Sequence, residues 1–277
     1  SNSFIGSNIC KKINKKKNSI LLFPKKKCNF LKKKDVSKIS KKIHPKDIII
    51  FIAAKAPAKN ITDLSENIEM IKNFCEYFVE KKFHRIVYVS SDAVYSDQRI
   101  LNEKTKMFSE SYHGKMHTLR EFYLKNFFTE RLLILRPTLT YGIGDPHNGY
   151  GPNSFIRLAL KNKDIRLFGK GEEKRDHIHV SDLSNAITKL IFNDSIGEYN
   201  IASGKVISFY NLARLVIKLS KSKSKIIFQE RNSPMPHLGY RSFNIKKLVN
   251  NTKSVPQRIS LSISNDLKLL KKYNLEY

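Results

Sequence analysis

The residues with the clearest chemical potential lie in one short stretch, Ser111–Glu121, which reads Ser-Tyr-His-Gly-Lys-Met-His-Thr-Leu-Arg-Glu. His113 and His117 are four apart, and Tyr112 and Lys115 are three apart. On a helix each pair shares a face. An imidazole takes up and releases protons near neutral pH. A phenol does the same when a nearby ammonium lowers its pKa. Either pair could therefore exchange a proton with a bound hydroxyl. Upstream, Val87–Asp92 is an apolar run that ends in Ser90, Ser91 and Asp92; downstream, Leu132–Pro137 is another, ending in Arg136 and Pro137. A helix between two such strands carries its side chains past the strand ends, where open α/β sheets bind ligands.

The rest of the first half supplies the elements that would position this helix. Phe4, Ile5 and Gly6 have the cadence of a turn entering a helix, and Ser19–Phe23 reads as a short apolar strand. Helix then strand is the back half of a βαβ unit whose front strand is missing, so either about eight further residues are expected before Ser1 or this copy is damaged. Gly6 would belong to a phosphate-binding turn, with Ser3 where a middle glycine would give more room. After the second strand comes Pro24-Lys25-Lys26-Lys27. Basic residues there accommodate a 2′-phosphate, which favours NADP over NAD if a dinucleotide binds. Asp47–Ala54 is a continuous apolar run, as in a strand buried on both faces. Its small terminal residues, Ala53 and Ala54, would let a cofactor approach. Ile61–Glu80 reads as an amphipathic helix containing Asn67, with Leu64, Ile68, Ile71, Cys75 and Phe78 inward. Strand Arg85–Ser90 and a helix from about His113 to Phe128 follow. This alternation predicts an α/β fold with a doubly wound parallel sheet.

Beyond Pro137 the texture changes. Gly and Pro cluster over 142–152. A helix follows over Asn153–Lys161, then a strand over Ile165–Phe168. Ser181 or Asp182 is expected to cap a helix through Phe192. Gly197–Ala202 reads as a strand, and Ser208 as the cap of a helix to about Leu219. Residues 1–140 are thus expected to form the main sheet domain. Residues 141–277, including Arg231, His237 and Arg241, form mainly a smaller α/β lobe, with segments returning to the first.

Composition narrows the partners. The formal net charge is +28, and residues 1–46 hold fifteen Lys against one Asp. Such charge suits an anionic partner, or reflects Lys-rich codon usage that fills solvated faces. The basic residues are not interleaved with stacking aromatics, which disfavours a nucleic-acid strand. No apolar run reaches the roughly 18–20 residues of a membrane span, and residues 1–20 lack the order of a secretory signal. Cys10, Cys28 and Cys75 are odd in number and scattered, which argues against a disulfide framework and against a metal site. The reduced cytoplasm is the expected compartment.

Taken in order and spacing, several marks coincide. They are Phe4-Ile5-Gly6, Ala53-Ala54, Asn67, Ser90-Ser91-Asp92-Ala93-Val94-Tyr95, the helix at 113–121 and Arg136-Pro137. Gly169, Gly171, Arg175, Asp176, Val180 and Asp182 follow, then Tyr199-Asn200-Ile201 with Gly204. With them the chain resembles the extended short-chain dehydrogenase/reductases, and among these the NAD-dependent nucleotide-sugar epimerases and dehydratases. The resemblance implies a Rossmann-like domain binding NAD or NADP, a nucleoside-diphosphate sugar as substrate, a homodimer formed through the helices near 64–80 and 113–128, and a role in polysaccharide synthesis. It further implies cofactor contacts from Phe4, Ile5, Gly6, Lys25, Lys26, Ala53, Ala54, Asn67, Ser90, Arg136 and Pro137. Ser91 would orient the reacting sugar oxygen, and Asp92 stands at the acid position of the dehydratases, although Ala93 replaces the Glu that follows it there. Arg175, Asn153 and Arg241 would hold the substrate diphosphate, Arg through paired bonds to phosphate oxygens.

The chain departs from the family at its chemical centre. The family pattern is Tyr-Gly-x-x-Lys-x-x-x-Glu. Alignment on Gly114 and Glu121 puts His113 at the Tyr position and His117 at the Lys position. Sliding by one keeps Tyr112, but brings Lys115 one residue early. The first alignment satisfies two anchors and is preferred. Two neutral imidazoles do not reproduce Tyr–Lys electrostatics, so the expected NAD(P)-dependent epimerase, dehydratase or reductase has two rivals. One is a cofactor-binding pseudoenzyme or sensor; the other is a basic nucleic-acid binder on the same fold.

Overall fold

In a computed structural model of the chain, residues 3–14 and 20–273 are described. The helices are α1 (Phe4–Asn14), α2 (Lys33–Ser40), α3 (Ile61–Phe78), α4 (Tyr112–Phe128), α5 (Pro152–Leu160), α6 (Val180–Phe192), α7 (Phe209–Ser220), α8 (Lys246–Thr252) and α9 (Ile259–Tyr273). The strands are β1 (Ile48–Phe51), β2 (Arg85–Val89), β3 (Ile100–Leu101), β4 (Leu132–Pro137), β5 (Leu139–Tyr141), β6 (Ile165–Phe168), β7 (Lys174–His179), β8 (Gly197–Ile201), β9 (Val206–Ser208), β10 (Ile226–Gln229) and β11 (Tyr240–Phe243). The chain divides into two units. One holds Ser1–Ser96, Glu103–Pro137 and Ile187–Asn200, and the other holds Asp97–Asn102, Thr138–Ala186 and Ile201–Tyr277.

The first unit is built on a sheet of order β1-β2-β4-β8, with β1 parallel to β2 and β2 parallel to β4. β2 and β4 are buried at every position, which is why Ile86–Val89 and Leu132–Leu135 are apolar throughout, while the buried Arg85 and Arg136 are each paired. Ile86 and Tyr88, two apart on β2, point into one core with Phe51, Ile71, Phe74, Phe78, Leu124 and Phe128. Phe74 stacks on Phe51 at 4.6 Å and on Phe78 at 4.3 Å between centroids. Each such side chain contributes about 1.5–3 kcal/mol through burial. Side-chain caps fix both long helices. Asn60 Oδ1 accepts from Asp63 N at 2.9 Å before α3, and Ser111 Oγ accepts from Gly114 N at 3.0 Å before α4.

The beginning of the chain differs from the sequence expectation. Phe4, Ile5 and Gly6 form the first turn of α1 rather than a loop before it, and Ser3 Oγ accepts from Gly6 N at 3.2 Å. Ser19 lies outside the described residues, and Ile20–Phe23 form no strand. Leu21 and Leu22 are exposed; four apolar residues ending at Pro24, with no neighbouring strand among the described residues, have no ladder to join. For the same reason β1 is not buried on both faces. It pairs with β2 alone among the described strands, Ile48–Ile50 are half-buried, and only Phe51 is fully enclosed. In α3, Leu64 and Ile68 are likewise only half-buried, while Asp63, Asn67 and Met70 take the inward positions of its first half.

The second unit carries a sheet of order β3-β11-β7-β5, with β9 antiparallel to β7, and a separate parallel pair β10-β6. Its core gathers Tyr141, Phe155, Leu167, Phe209, Leu212 and Val216. Ser208 caps α7, accepting from Asn211 N at 3.2 Å. Ser181 and Asp182 are not caps. β7 passes directly into α6 at Val180, so both lie in the first helical turn, and Ser181 Oγ bonds His179 Nδ1 at 2.7 Å instead.

Candidate functional site

In its first half α4 turns several polar groups inward, while Leu124 and Phe128 of its second half join the apolar core. Gly114, Met116, His117, Arg120 and Glu121 are buried, while Tyr112, Leu119, Phe122 and Phe127 are exposed. Among the candidate pairs, the fold turns His113 and His117 inward and leaves Tyr112 and Lys115 in solvent. The two imidazoles meet edge to face, 4.7 Å between centroids. His117 Nδ1 and the buried Tyr88 hydroxyl are hydrogen-bonded at 2.7 Å. Burial, helped by His113 and Arg120, pushes the His117 pKa well below the ordinary value, so the ring is neutral. Burial also lowers that of His113, against an opposing pull from Asp92. His113 Nδ1 is buried and makes no hydrogen bond.

The start of α4 is pinned against the segment after Ser91. A Cβ on Gly114 would collide with the Ala93 carbonyl oxygen and with Ser109 Oγ. Only glycine permits that approach. Ser91 Oγ accepts from Ala93 N at 3.2 Å, an acceptor role that leaves its hydroxyl proton to donate elsewhere. Ser91 and Asp92 are half-buried.

Three residues expected at a cofactor have other tasks here. Glu121 accepts from Ser90 Oγ at 2.6 Å, from Arg136 Nε at 2.9 Å and from Arg136 Nη2 at 2.5 Å, all in full burial. Arg136 Nη1 also donates to Tyr95 Oη at 2.9 Å, whose hydroxyl donates to Asn200 Oδ1 at 2.7 Å. Ser90 and Arg136 thus tie α4 to β2 and β4, because a buried guanidinium needs a carboxylate more than it can serve a ligand; Pro137 ends β4. Asn67 bonds both the N–H and the C=O of Lys55, at 3.1 and 3.0 Å, and accepts from Arg120 Nη1 at 3.2 Å. Arg120 Nη2 donates to the Ala53 carbonyl at 2.6 Å, and its guanidinium lies 4.9 Å from the Phe51 ring centroid and 5.3 Å from that of Tyr88. Asn67 and Arg120 together hold the strand-end segment Ala53–Lys55. Sequence reasoning missed Arg120, since a charged residue between Leu119 and Glu121 reads as solvent-facing. Lys25 and Lys26 lie in an exposed turn closed by Lys27 N to Pro24 O at 2.7 Å.

In the second unit, basic side chains converge. Arg175 Nη1 meets Glu173 Oε1 at 3.2 Å, and Arg231 Nη2 meets Glu173 Oε2 at 3.5 Å. Burial raises the Glu173 pKa while the two arginines draw it down. Arg241 is the register partner of Arg175 across β11 and β7. Its Nη1 lies 3.2 Å from Asp97 Oδ1 and 3.0 Å from His237 Nδ1. Asn153 is committed to the loop before α5, accepting from Gly142 N at 3.1 Å and donating to Asp145. His177, two residues after Arg175 on β7, is buried with neither ring nitrogen hydrogen-bonded. Burial, then Arg175, push its pKa down to about 3. Arg231 and His177 had no role in the sequence reading, because a single Arg or His in a strand or loop carries no spacing signal. Among the described residues no group of His, Cys, Asp or Glu could hold a metal ion.

The model of the NAD-dependent epimerase/dehydratase family matches residues 1–202. The chain belongs to that family. It is 26% identical over 203 residues to a dTDP-D-glucose 4,6-dehydratase of Dictyostelium discoideum, a match covering 63% of this chain and only 45% of that protein's length. It is 23% identical over 268 residues, 84% of each chain, to the uncharacterized UDP-glucose epimerase YtcB of Bacillus subtilis (strain 168). In fold it is similar to the Thermus thermophilus UDP-glucose 4-epimerase solved in complex with NAD. The TM-score is 0.81 at 19% identity, over 98% of this chain and 97% of that one. In this family member, the orphaned His113 Nδ1 is a buried unbonded nitrogen that a hydroxyl of a bound cofactor would satisfy, and Ser91 Oγ keeps a proton to donate. The expected phosphate-binding turn offers no comparable fit, because Gly6 is helical and its N–H is already bonded to Ser3.

Proposed function

We propose that the chain is an NAD(P)-dependent epimerase, dehydratase or reductase of a nucleoside-diphosphate sugar. The observation that supports this reading is the inward pair His113–His117, with Asp92 pulling on the His113 charge, on a helix whose start packs through Gly114 against the segment after Ser91. Ala53, Ala54, Ser91, His113 and His117 would hold the nicotinamide end of the cofactor, which when bound supplies a hydride acceptor or donor. The Ser91 hydroxyl donates to the sugar oxygen and orients it. Neutral His113 takes the proton from that oxygen or returns it, and Asp92 favours the imidazolium that forms. In the second unit, Arg175 with Arg231 and Arg241 supplies guanidiniums suited to a diphosphate group. Exposed Ile61 on α3 and Phe122 on α4 support a homodimer through these helices.

A second reading, a cofactor-binding chain without turnover, is favoured by one observation: His117 is neutral and hydrogen-bonded to Tyr88, so the inward pair contains no cation. Calorimetric titration with NADP and NAD, followed by turnover assays on a panel of nucleotide sugars, tests both. Binding with turnover supports the enzyme, and binding without turnover on any sugar supports the second reading. A folded chain that binds neither dinucleotide sinks both.

A further inference from the structure

The contact between Tyr88 and His117 determines where a proton resides. Tyr88 is buried on β2, and the only partner its hydroxyl has among the described residues is His117 Nδ1 at 2.7 Å. If Nδ1 carried the ring proton, the phenolic oxygen would have to accept, and the phenol's own proton would point into the core without an acceptor. An unsatisfied buried donor costs more than a hydrogen bond returns. The other arrangement satisfies the phenol: it donates to Nδ1, and the ring proton sits on Nε2. The surroundings hold that arrangement. Burial keeps the phenol protonated. The Arg120 guanidinium, 5.3 Å from the Tyr88 ring centroid, and the neighbouring His113 both disfavour a second proton on His117.

We infer that Tyr88 is a positioning residue that locks His117 as its Nε2–H tautomer, making His117 a fixed, neutral hydrogen-bond donor. The assignment of that donor to a cofactor hydroxyl rests on the function proposed above; the tautomer does not. A neutral donor in a fixed direction suits an acceptor oxygen such as a sugar or ribose hydroxyl. It gives no charge with which to activate a phenol. The position thus keeps a binding role and loses an electrostatic one.

The test uses the ligand-free chain labelled with ¹⁵N-histidine and long-range proton–nitrogen spectra. The His117 signals are identified by their loss in His117→Gln. The expected spectrum shows His117 with a bare Nδ1, a protonated Nε2 and no titration around the ordinary imidazole value. A protonated Nδ1, or a doubly protonated ring at neutral pH, overturns the inference whatever the variants do. Tyr88→Phe is expected to release the lock, giving a tautomer mixture, and to weaken dinucleotide binding about threefold to tenfold. A pure Nε2–H form persisting in folded Tyr88→Phe also overturns it. If that variant does not fold, the unaltered chain's spectrum decides alone. Should the spectrum come out as expected while the chain binds no dinucleotide, the proposed function fails and the proton lock stands.

Discussion

Glu121 of α4 and Arg136 of β4 form a two-pronged ion pair, Nε–Oε1 2.9 Å and Nη2–Oε2 2.5 Å, with each side chain 1% exposed. Burial works against the charge on Arg136, and Glu121 more than offsets it. Removing one partner leaves the other charged in the core. Glu121→Ala is therefore expected to lower the unfolding free energy by about 3–5 kcal/mol, read from urea denaturation. Replacing both partners by apolar residues, Glu121→Leu with Arg136→Met, should cost less than Glu121→Ala alone. A double variant as unstable as the single would contradict this account of the pair.

Gly114 is the second fixed point of α4. Its Cβ would collide with the Ala93 carbonyl and with Ser109. The Ser109 hydroxyl can turn away, but neither Ser109 Cβ nor the carbonyl can yield without moving its backbone. Gly114→Ala should cost about 1–3 kcal/mol despite the better helix propensity of alanine. Thermal denaturation checks this, and an unchanged or raised Tm would refute it.

The inward placement of His113 separates it from Tyr112. His113→Ala should reduce turnover by about 10²-fold or more, the scale of a lost general acid–base, and Tyr112→Phe by far less. The reverse ranking would move the proton chemistry to the exposed phenol. Equal small effects would assign it to neither residue.

Glu173 stands where its carboxylate bridges Arg175 and Arg231. A diphosphate held there as proposed would compete with it for both guanidiniums. Glu173→Gln should tighten binding of a nucleoside diphosphate by severalfold, while Arg175→Ala should weaken it about tenfold or more. Calorimetry with UDP reads both changes. Weaker binding in Glu173→Gln would mean the carboxylate orients the arginines more than it blocks them.

Acid should destabilise the fold before most carboxylates titrate. His177 has a pKa of about 3 in the folded chain against an ordinary 6.5, and His117 is also held well below that value. Below the ordinary value the unfolded chain takes up protons that the folded chain refuses, so stability falls as pH falls. Over the window between about 6.5 and 3 the His177 ring makes this loss steepen with each pH unit, and His117 adds to it in the same direction. Urea denaturation at a series of pH values from neutral downward reads the slope, and His177→Phe should flatten it. A slope that His177→Phe leaves unchanged would exclude the residue as its source.

The sequence by itself determined the strands β2 and β4, because apolar runs such as Ile86–Val89 and Leu132–Leu135 can be enclosed on both faces, and it determined the cap Ser208, because its hydroxyl satisfies a nearby backbone donor. The family was also legible, since it rests on ordered local motifs. What lay beyond the sequence was decided by neighbours distant along the chain. Ile20–Phe23 has strand-like residues but no paired neighbour among the described residues, and Gly6 was drawn into α1 by a cap from Ser3. Over Leu119–Phe122 of α4 the usual pattern is inverted. Arg120 and Glu121 are buried, and Leu119 and Phe122 are exposed, so hydrophobic periodicity misreads its inner face. Only tertiary structure supplies the Ala53 carbonyl, the Asn67 amide and the Arg136 guanidinium that make those charges tolerable inside. The same holds for His117, whose spacing from His113 is visible in the sequence. Its proton is placed by Tyr88, 29 residues earlier, because a buried hydrogen bond is settled by which partner is left without an alternative.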